Sequence, residues 1–475
     1  MGEVEKQKLK GALGVAPIVM MVVATAAPLT VMVANTPLMI SIGNGVAAPV
    51  DALIATIIMF LFTVGFVAMS KYIDNAGAFY AFIQKGLGRS IGLGSATLAV
   101  VSYSLILVAV QGYIGYATAD TVNGFLGVDA PWWVYSFLAV AVIAYLGYRD
   151  IELSSKFLAV ALVLEIAVVI LVDLAVLWDK GLSGMETATF ELSHIISGSP
   201  GLGILFAIFS FIGFESTVIY REEARDPERT IPRATYTAVF LVGAFYVISM
   251  WCAVSAIGVD NITDFSETHG ADLYLAVTQH YFGVIFMDVM HVLLLTSLFA
   301  CALSLHNIVV RYKYTLGRFG VLSGQFANVH PAHGSPHVSS AILSTFSVVA
   351  FVILAAIGAD PATEIYAWGA MAGTLGYMVI LSLTCAAVVF FFRKEKHVLS
   401  TWKTLVAPTG GLLGVLGCLW VAISNLPDLI GGDNAKTVSI LVVLFLLSTF
   451  VFGYAVAERF RKRSPQRYEA LRQLA

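Results

Sequence analysis

Phe209-Ser-Phe-Ile-Gly-Phe-Glu-Ser216, followed by Thr-Val-Ile-Tyr and then Arg221-Glu-Glu-Ala-Arg-Asp-Pro-Glu-Arg-Thr-Ile-Pro-Arg-Ala234, decides how the rest of the chain is read. An apolar run carries a glycine and a glutamate at its middle and then passes into a dense cluster of charges. A charge in hydrocarbon costs about 2.5–3.5 kcal/mol even on the mildest scale, so Glu215 must face a cavity or a partner. Gly213 weakens the helix beside it. The pair predicts a discontinuous helix whose broken ends line a site at the middle of a bilayer, as in carriers built from inverted repeats. The competing account is a kinked structural helix with Glu215 bonded to a neighbour.

Composition supports the membrane. The 475 residues are 59% hydrophobic and only 12% charged, with a mean hydropathy of +0.86, outside the range of water-soluble domains. The apolar runs approach 20 residues, the length of a spanning helix and not of a barrel strand. Twelve are expected, near 13–42, 47–69, 91–123, 132–148, 154–178, 201–221, 235–258, 275–310, 338–358, 364–392, 404–425 and 436–457. The fold class is therefore all-α and polytopic. Basic residues gather in the N-terminal tail and in alternate loops, from Lys71 and Lys85 through Arg221, Arg225, Arg229 and Arg233 to the Arg459–Arg472 tail, with only Lys180 and Lys436 in the opposite set. Retention of Lys and Arg in the cytoplasm places both termini there. The first apolar run continues directly into a span, unlike a cleavable leader.

Several function classes drop out. A net charge of -3 gives no signal for nucleic acid. Cys252, Cys301, Cys385 and Cys418 all fall inside spans at no ligand spacing, so neither a disulfide framework nor a metal is expected. No phosphate-binding loop accompanies the spans, so the energy source is a gradient and no cofactor is expected. No nucleophile, base and orienting group occur together, which argues against an enzyme.

Val22-Val-Ala-Thr-Ala-Ala-Pro28 predicts a second broken helix. Pro28 lacks an N–H and clashes with the carbonyl of Ala24, so the ladder opens across Ala24, Thr25, Ala26 and Ala27. Carbonyls ending the first half attract a cation and N–H groups starting the second attract an anion, a pairing that suits an amino acid zwitterion. Five spans separate one interruption from the next, which defines two five-helix halves, 13–178 and 201–392. An odd number inverts the second half. Helices 404–457 lie outside both, between the tails 1–12 and 458–475. Glu165, about 13 Å inside its span, has no intrahelical partner and is either a proton carrier or a hydrogen-bonded structural glutamate. Asp288 and His291 share a face; Tyr103 and Gln111 either face the cavity or pack between helices. The loop from Ala68 to Tyr80 reads as an interfacial turn leading into a short amphipathic helix, its tyrosines as interfacial anchors.

The chain resembles permeases of the amino acid-polyamine-organocation superfamily, most specifically in Phe211-Ile-Gly-Phe-Glu215 followed by Glu222-Glu223, Asp226-Pro227, Arg229 and Ile231-Pro-Arg-Ala234. Met69-Ser70 with Asn75–Tyr80, and Asn307–Gly317 with His330-Pro331 and Pro336, extend the likeness over nearly the whole chain. It implies a LeuT-type fold of two inverted repeats plus two C-terminal helices and an amino acid carrier of the cell membrane working by alternating access. The implied substrate site comprises Ala24, Thr25, Ala26, Ala27, Tyr103, Phe211, Ile212 and Gly213, with Phe209 as an aromatic gate. Glu165 and Glu215 are the proton-coupling candidates, and Glu222, Glu223 and Arg225 form an inner gate. Helix 1 lacks the glycines many members have, and Glu165 stands where several carry a lysine. The alternatives are an organic cation or polyamine carrier and a non-transporting sensor or partner subunit. Expected partners are the small-molecule substrate, protons and the lipid bilayer, with the chain a monomer or homodimer.

Overall fold

The computed structural model describes residues 13–73, 79–149, 155–219, 224–395 and 397–474. Among them there is no strand, only an isolated bridge between Leu13 and Ala224. The helices are α1 (Val15–Ala26), α2 (Pro28–Thr30, winding on to Gly43), α3 (Ala48–Ser70), α4 (Phe79–Leu87), α5 (Arg89–Leu126), α6 (Trp132–Arg149), α7 (Ser155–Lys180), α8 (Pro200–Phe209) and α9 (Ser216–Ile219). They continue with α10 (Pro227–Ile257), α11 (Ile262–His269), α12 (Leu273–Phe282), α13 (Val284–Arg318), α14 (His337–Ala356), α15 (Tyr366–Lys394), α16 (Ala407–Ile430) and α17 (Ala435–Arg463). Ten helical stretches of the described residues are long and apolar enough to cross a membrane. The sequence predicts two spans more, where the structure has α6 and the α8–α9 pair; α6 is an 18-residue helix, and α8 covers only 10 residues.

The interruption in the first span falls where Pro28 predicts it. Ala27 sits in the left-handed region at φ 48°, the only non-glycine with positive φ among the described residues. Pro28 then starts α2, its missing N–H harmless at a first turn. Further on, Pro37 removes another donor, and the chain flanking it widens into π-type turns over Val31–Asn35 and Met39–Gly43.

At the centre of the bundle stands α5, 38 residues long, or about 57 Å, so it cannot stand upright within about 30 Å of hydrocarbon. It packs on α13, α15 and α17. The approach of α15 is close because Gly369, Gly373 and Gly376 face it; a Cβ on Gly376 would lie 2.0 Å from Ser102 Oγ. Small residues that let backbones meet are the usual adhesive of helices in lipid, where the hydrophobic effect gives no drive. Large apolar side chains such as Trp178, Phe240 and Trp420 point outward, as a lipid-facing surface requires.

One local expectation is corrected. The segment leading out of α3 reads as interfacial, yet α4 is buried: Phe66 stacks on Phe82 with centroids 4.4 Å apart, and Tyr80 packs on Tyr312. Gly86 allows this by laying backbone on Ala387, where a Cβ would come within 2.2 Å of the carbonyl oxygen. Amphipathic spacing cannot tell a helix lying on lipid from one lying in a protein groove.

Ala27 supplies a direct test of the broken first span. Left-handed geometry costs an L-residue about 1–2 kcal/mol, and glycine returns part of that while losing about 0.4–1 kcal/mol through the freer unfolded chain. Ala27→Gly is therefore expected to hold or raise the Tm in detergent, whereas Ala27→Val, with a branched side chain forced to positive φ, lowers it.

Candidate functional site

The two interruptions touch. Gly213, at φ 107°, turns the chain beneath Thr25, and a Cβ on it would meet Thr25 Cγ2 at 2.6 Å. Between them lies a cavity of about 30 Å³. Its walls are Thr25, Ala26, Ala27, Thr30 and Val31 of the first span, Ile106 and Val110 of α5, Phe209, Ile212 and Gly213 at the second break, Cys301, Leu305 and Ile308 of α13, and Tyr366 of α15. None of these side chains is a carboxylate or a basic group. Phe209 and Tyr366 meet edge to face at 5.9 Å, and Tyr366 packs in turn on Tyr113 at 5.0 Å. These rings close one side.

The backbone at the breaks divides its labour. At the end of α1, Ala27 N–H returns to the Ala24 carbonyl, and the Tyr246 hydroxyl donates to the carbonyl of Ala26 at 3.3 Å. Because Pro28 opens α2, the following Leu29 and Thr30 N–H groups start a helix with no preceding turn to bond. At the second break the donors are occupied. Phe211 and Ile212 N–H bond Ile208 and Phe209, and Gly213 N–H donates to Glu215 Oε2 at 2.9 Å. The α8–α9 break thus presents carbonyls, and α2 presents donors.

Glu215 is buried and accepts from three directions. Tyr103 donates to Oε1 at 2.5 Å, Tyr377 to Oε2 at 3.3 Å, and Gly213 through its backbone. Two helices, α5 and α15, are thereby tied to the unwound turn. Asn35 secures its other end, donating to the Phe206 carbonyl at 2.7 Å and to Ser210 Oγ.

Glu165, only 4% exposed on α7, lies beside Ser297 of α13, and Thr30 of the cavity wall donates to Ser297 Oγ at 3.2 Å. Ser297 thus stands between Thr30 of the wall and the carboxyl. Farther along, on the face away from the chain ends, His291 Nε2 lies 3.2 Å from Asp120 Oδ2, and the Tyr116 hydroxyl donates to Asp272 at 2.8 Å. Burial raises the Asp272 carboxyl above its ordinary range, partly offset by that hydroxyl, with the charge of Asp120 pushing it further up.

Of the residues expected at the substrate site, Thr25, Ala26, Ala27, Phe209, Ile212 and Gly213 line the cavity. Ala24 does not, its carbonyl serving Ala27; Tyr103 is on Glu215; and Phe211 packs on Tyr246, centroids 6.0 Å apart. His291, which shares a helix face with Asp288, lies against Asp120. Gln111 Oε1 is buried without a partner, outside the lining. Arg225 N–H bonds the Leu13 carbonyl at 2.9 Å, while Glu222 and Glu223 lie outside the described residues.

Two broken helices around a closed central cavity are the architecture of a carrier, and the comparisons agree. The sequence profile described as Amino acid permease matches residues 17–466. The chain belongs to the amino acid permease family. This permease is a transporter of the amino acid-polyamine-organocation superfamily and a multi-pass membrane protein, not an enzyme. It is 23% identical to the low-affinity putrescine importer PlaP of Escherichia coli K12 over 440 residues, 89% of this chain and 91% of that one. It is 25% identical to the branched-chain amino acid permease BcaP of Bacillus subtilis over 222 residues, 46% of this chain and 43% of that one. A probable GABA permease of Pseudomonas aeruginosa shares 24% over 194 residues, 38% of this chain and 40% of that one.

Sequence reasoning missed Tyr366, Tyr377, Tyr246, Asn35 and Ser297 in this permease. Asn35 had a signal, being an amide inside an apolar run; the tyrosines look like any others in a span.

The clamp on Glu215 is separable from ordinary aromatic packing. Tyr103→Phe strips a donor from a buried carboxyl and is expected to cost about 1–3 kcal/mol, seen as a fall in Tm. Tyr312, also buried on this face, has a hydroxyl without a partner, so Tyr312→Phe should be neutral or stabilising in the same assay.

Proposed function

We propose that this permease is a secondary transporter that moves amino acids across the cell membrane by alternating access, coupled to protons. The observation that carries the reading is an uncharged cavity set between a helix end that offers carbonyls and a helix start that offers N–H groups. A zwitterion is neutralised by those two ends without a charged side chain. Its carboxylate sits at the start of α2, and its ammonium takes carbonyls from the end of α1 and from the α8–α9 break. Its side chain lies on the aliphatic wall, with Phe209 and Tyr366 as the occluding rings. A cavity of about 30 Å³ matches the share of volume of roughly one water, so loading requires those rings to move.

The arrangement is the LeuT type: 13–178 and 201–392 are inverted repeats, α16 and α17 are additional, and α6 with the α8–α9 pair brings the spans to twelve. Both chain ends face the cytoplasm, where Arg225, Glu222 and Glu223 form part of the inner gate. Glu165 is the proton carrier, because Ser297 lies between it and Thr30 of the cavity wall. Glu215, saturated with donors, holds the break and transmits its state to α5 and α15.

A second reading, an amine or polyamine carrier, draws on the full-length likeness to a putrescine importer and on the approach of Glu165 to the wall. Thermal-shift measurements against amino acids, their decarboxylated amines and polyamines, at acidic and neutral pH, separate the two, since a ligand that binds only the folded state raises its stability. Stabilisation by an amino acid and not by its amine is expected. The reverse pattern makes Glu165 a substrate ligand, and absence of flux in sealed vesicles under every gradient indicates a sensor. Glu165→Gln is expected to abolish the pH dependence of uptake while binding persists; an unchanged pH profile removes Glu165 from the coupling.

A further inference from the structure

The apolar stretch of α7 holds a second buried carboxyl, eight residues beyond Glu165 and about 12 Å further along the helix. Asp173 is 6% exposed. Ser249 of α10 donates to its Oδ2 at 2.6 Å, while Oδ1 has no partner. Tyr274 of α12, fully buried, is close enough to feel its charge; its hydroxyl also lacks a partner, so the two are not hydrogen-bonded to each other. Cys252 of α10 is the remaining titratable neighbour. Among the described residues no basic side chain acts on Asp173.

An ionised carboxylate with one bare oxygen and no counter-charge is unstable in such a place. A neutral acid carries no such charge, and the Tyr274 oxygen, engaged by no other group, could accept its proton only if the two side chains drew closer. Tyr274 is carried by α12, a short connecting helix of 10 residues fastened to the rim of α7 by the Tyr281 hydroxyl on Asp179 at 3.1 Å. Withdrawal of α12 would open Asp173 to water on the face away from the chain ends.

We infer that Asp173 is the external proton-exchange site of this permease, taking a proton from outside water on its unpartnered Oδ1 when α12 lifts and retaining it, as a buried neutral acid, when α12 is docked. The inference rests on the proton-coupled reading. It adds to that reading a site on the external side of Glu165, and it assigns to α12 the part of a lid over that site.

The test uses the full chain in proteoliposomes, comparing wild type with Asp173→Asn, whose amide is isosteric with the neutral acid but does not titrate. Uptake is measured against external pH, and substrate counterflow is measured without a gradient. Wild-type uptake should change by up to about tenfold per pH unit on the flank of its profile, the response of a single proton. Asp173→Asn should flatten this while retaining counterflow. A pH response equal to wild type overturns the assignment of Asp173 and leaves coupling intact; no pH response in wild type overturns both. Should the variant fail to fold, carbodiimide labelling of the wild-type protein decides, because the reagent modifies protonated carboxyls in apolar surroundings. An adduct on Asp173 that falls in yield from acidic to alkaline pH supports the site, and none at any pH refutes it.

Discussion

A carboxyl that accepts three hydrogen bonds inside a membrane helix is the constraint on which this structure turns. Glu215 takes the Gly213 N–H of its own turn and the hydroxyls of Tyr103 and Tyr377 from two other helices. Unwinding a helix in hydrocarbon frees backbone groups that cost several kcal/mol each if left bare. Here the freed donor and the carboxylate satisfy one another, and the tyrosines satisfy the remaining lone pairs. The break therefore persists without water, and its position relative to α5 and α15 is fixed.

The first break is held differently. No carboxylate stabilises it; Pro28 enforces the loss of the ladder, Ala27 absorbs the reversal at positive φ, and the Tyr246 hydroxyl covers the Ala26 carbonyl. One break is thus imposed by backbone chemistry and the other by side-chain chemistry. Their meeting requires the absence of a side chain on Gly213, since Thr25 occupies the space a Cβ would need. A cavity between two helix ends follows from that contact.

Around this centre the carboxyls divide by surroundings. Glu215 is surrounded by donors and is structural in character. Asp173 on α7 has a single hydroxyl partner, Ser249, and Glu165 on the same helix lies beside the Ser297 hydroxyl. Groups so lightly held can exchange a proton without dismantling a network, which is why the proton path is assigned to α7 and not to the break.

Much was legible before any coordinates. The apolar run lengths fixed an all-helical membrane protein, Pro28 located the first interruption to the residue, and Gly213 with Glu215 located the second, because each is a local rule of backbone geometry or desolvation. Six of the expected cavity residues line it for the same reason: they are the breaks themselves. What spacing could not supply is which side chains from distant helices arrive there. Tyr103 and Phe211 were expected at the substrate and are committed to Glu215 and Tyr246; Tyr366, unremarkable in sequence, closes the cavity; and α4, amphipathic by pattern, is buried in protein. Helical periodicity gives a residue its face but not the identity of what lies opposite, and in a bundle where every helix is apolar the pattern does not rank one face above another. The sequence by itself determined where the helices must break. Only the tertiary structure decided who meets at the breaks, because that depends on glycine contacts such as those of α15 on α5, which set how closely and in what register remote segments pack.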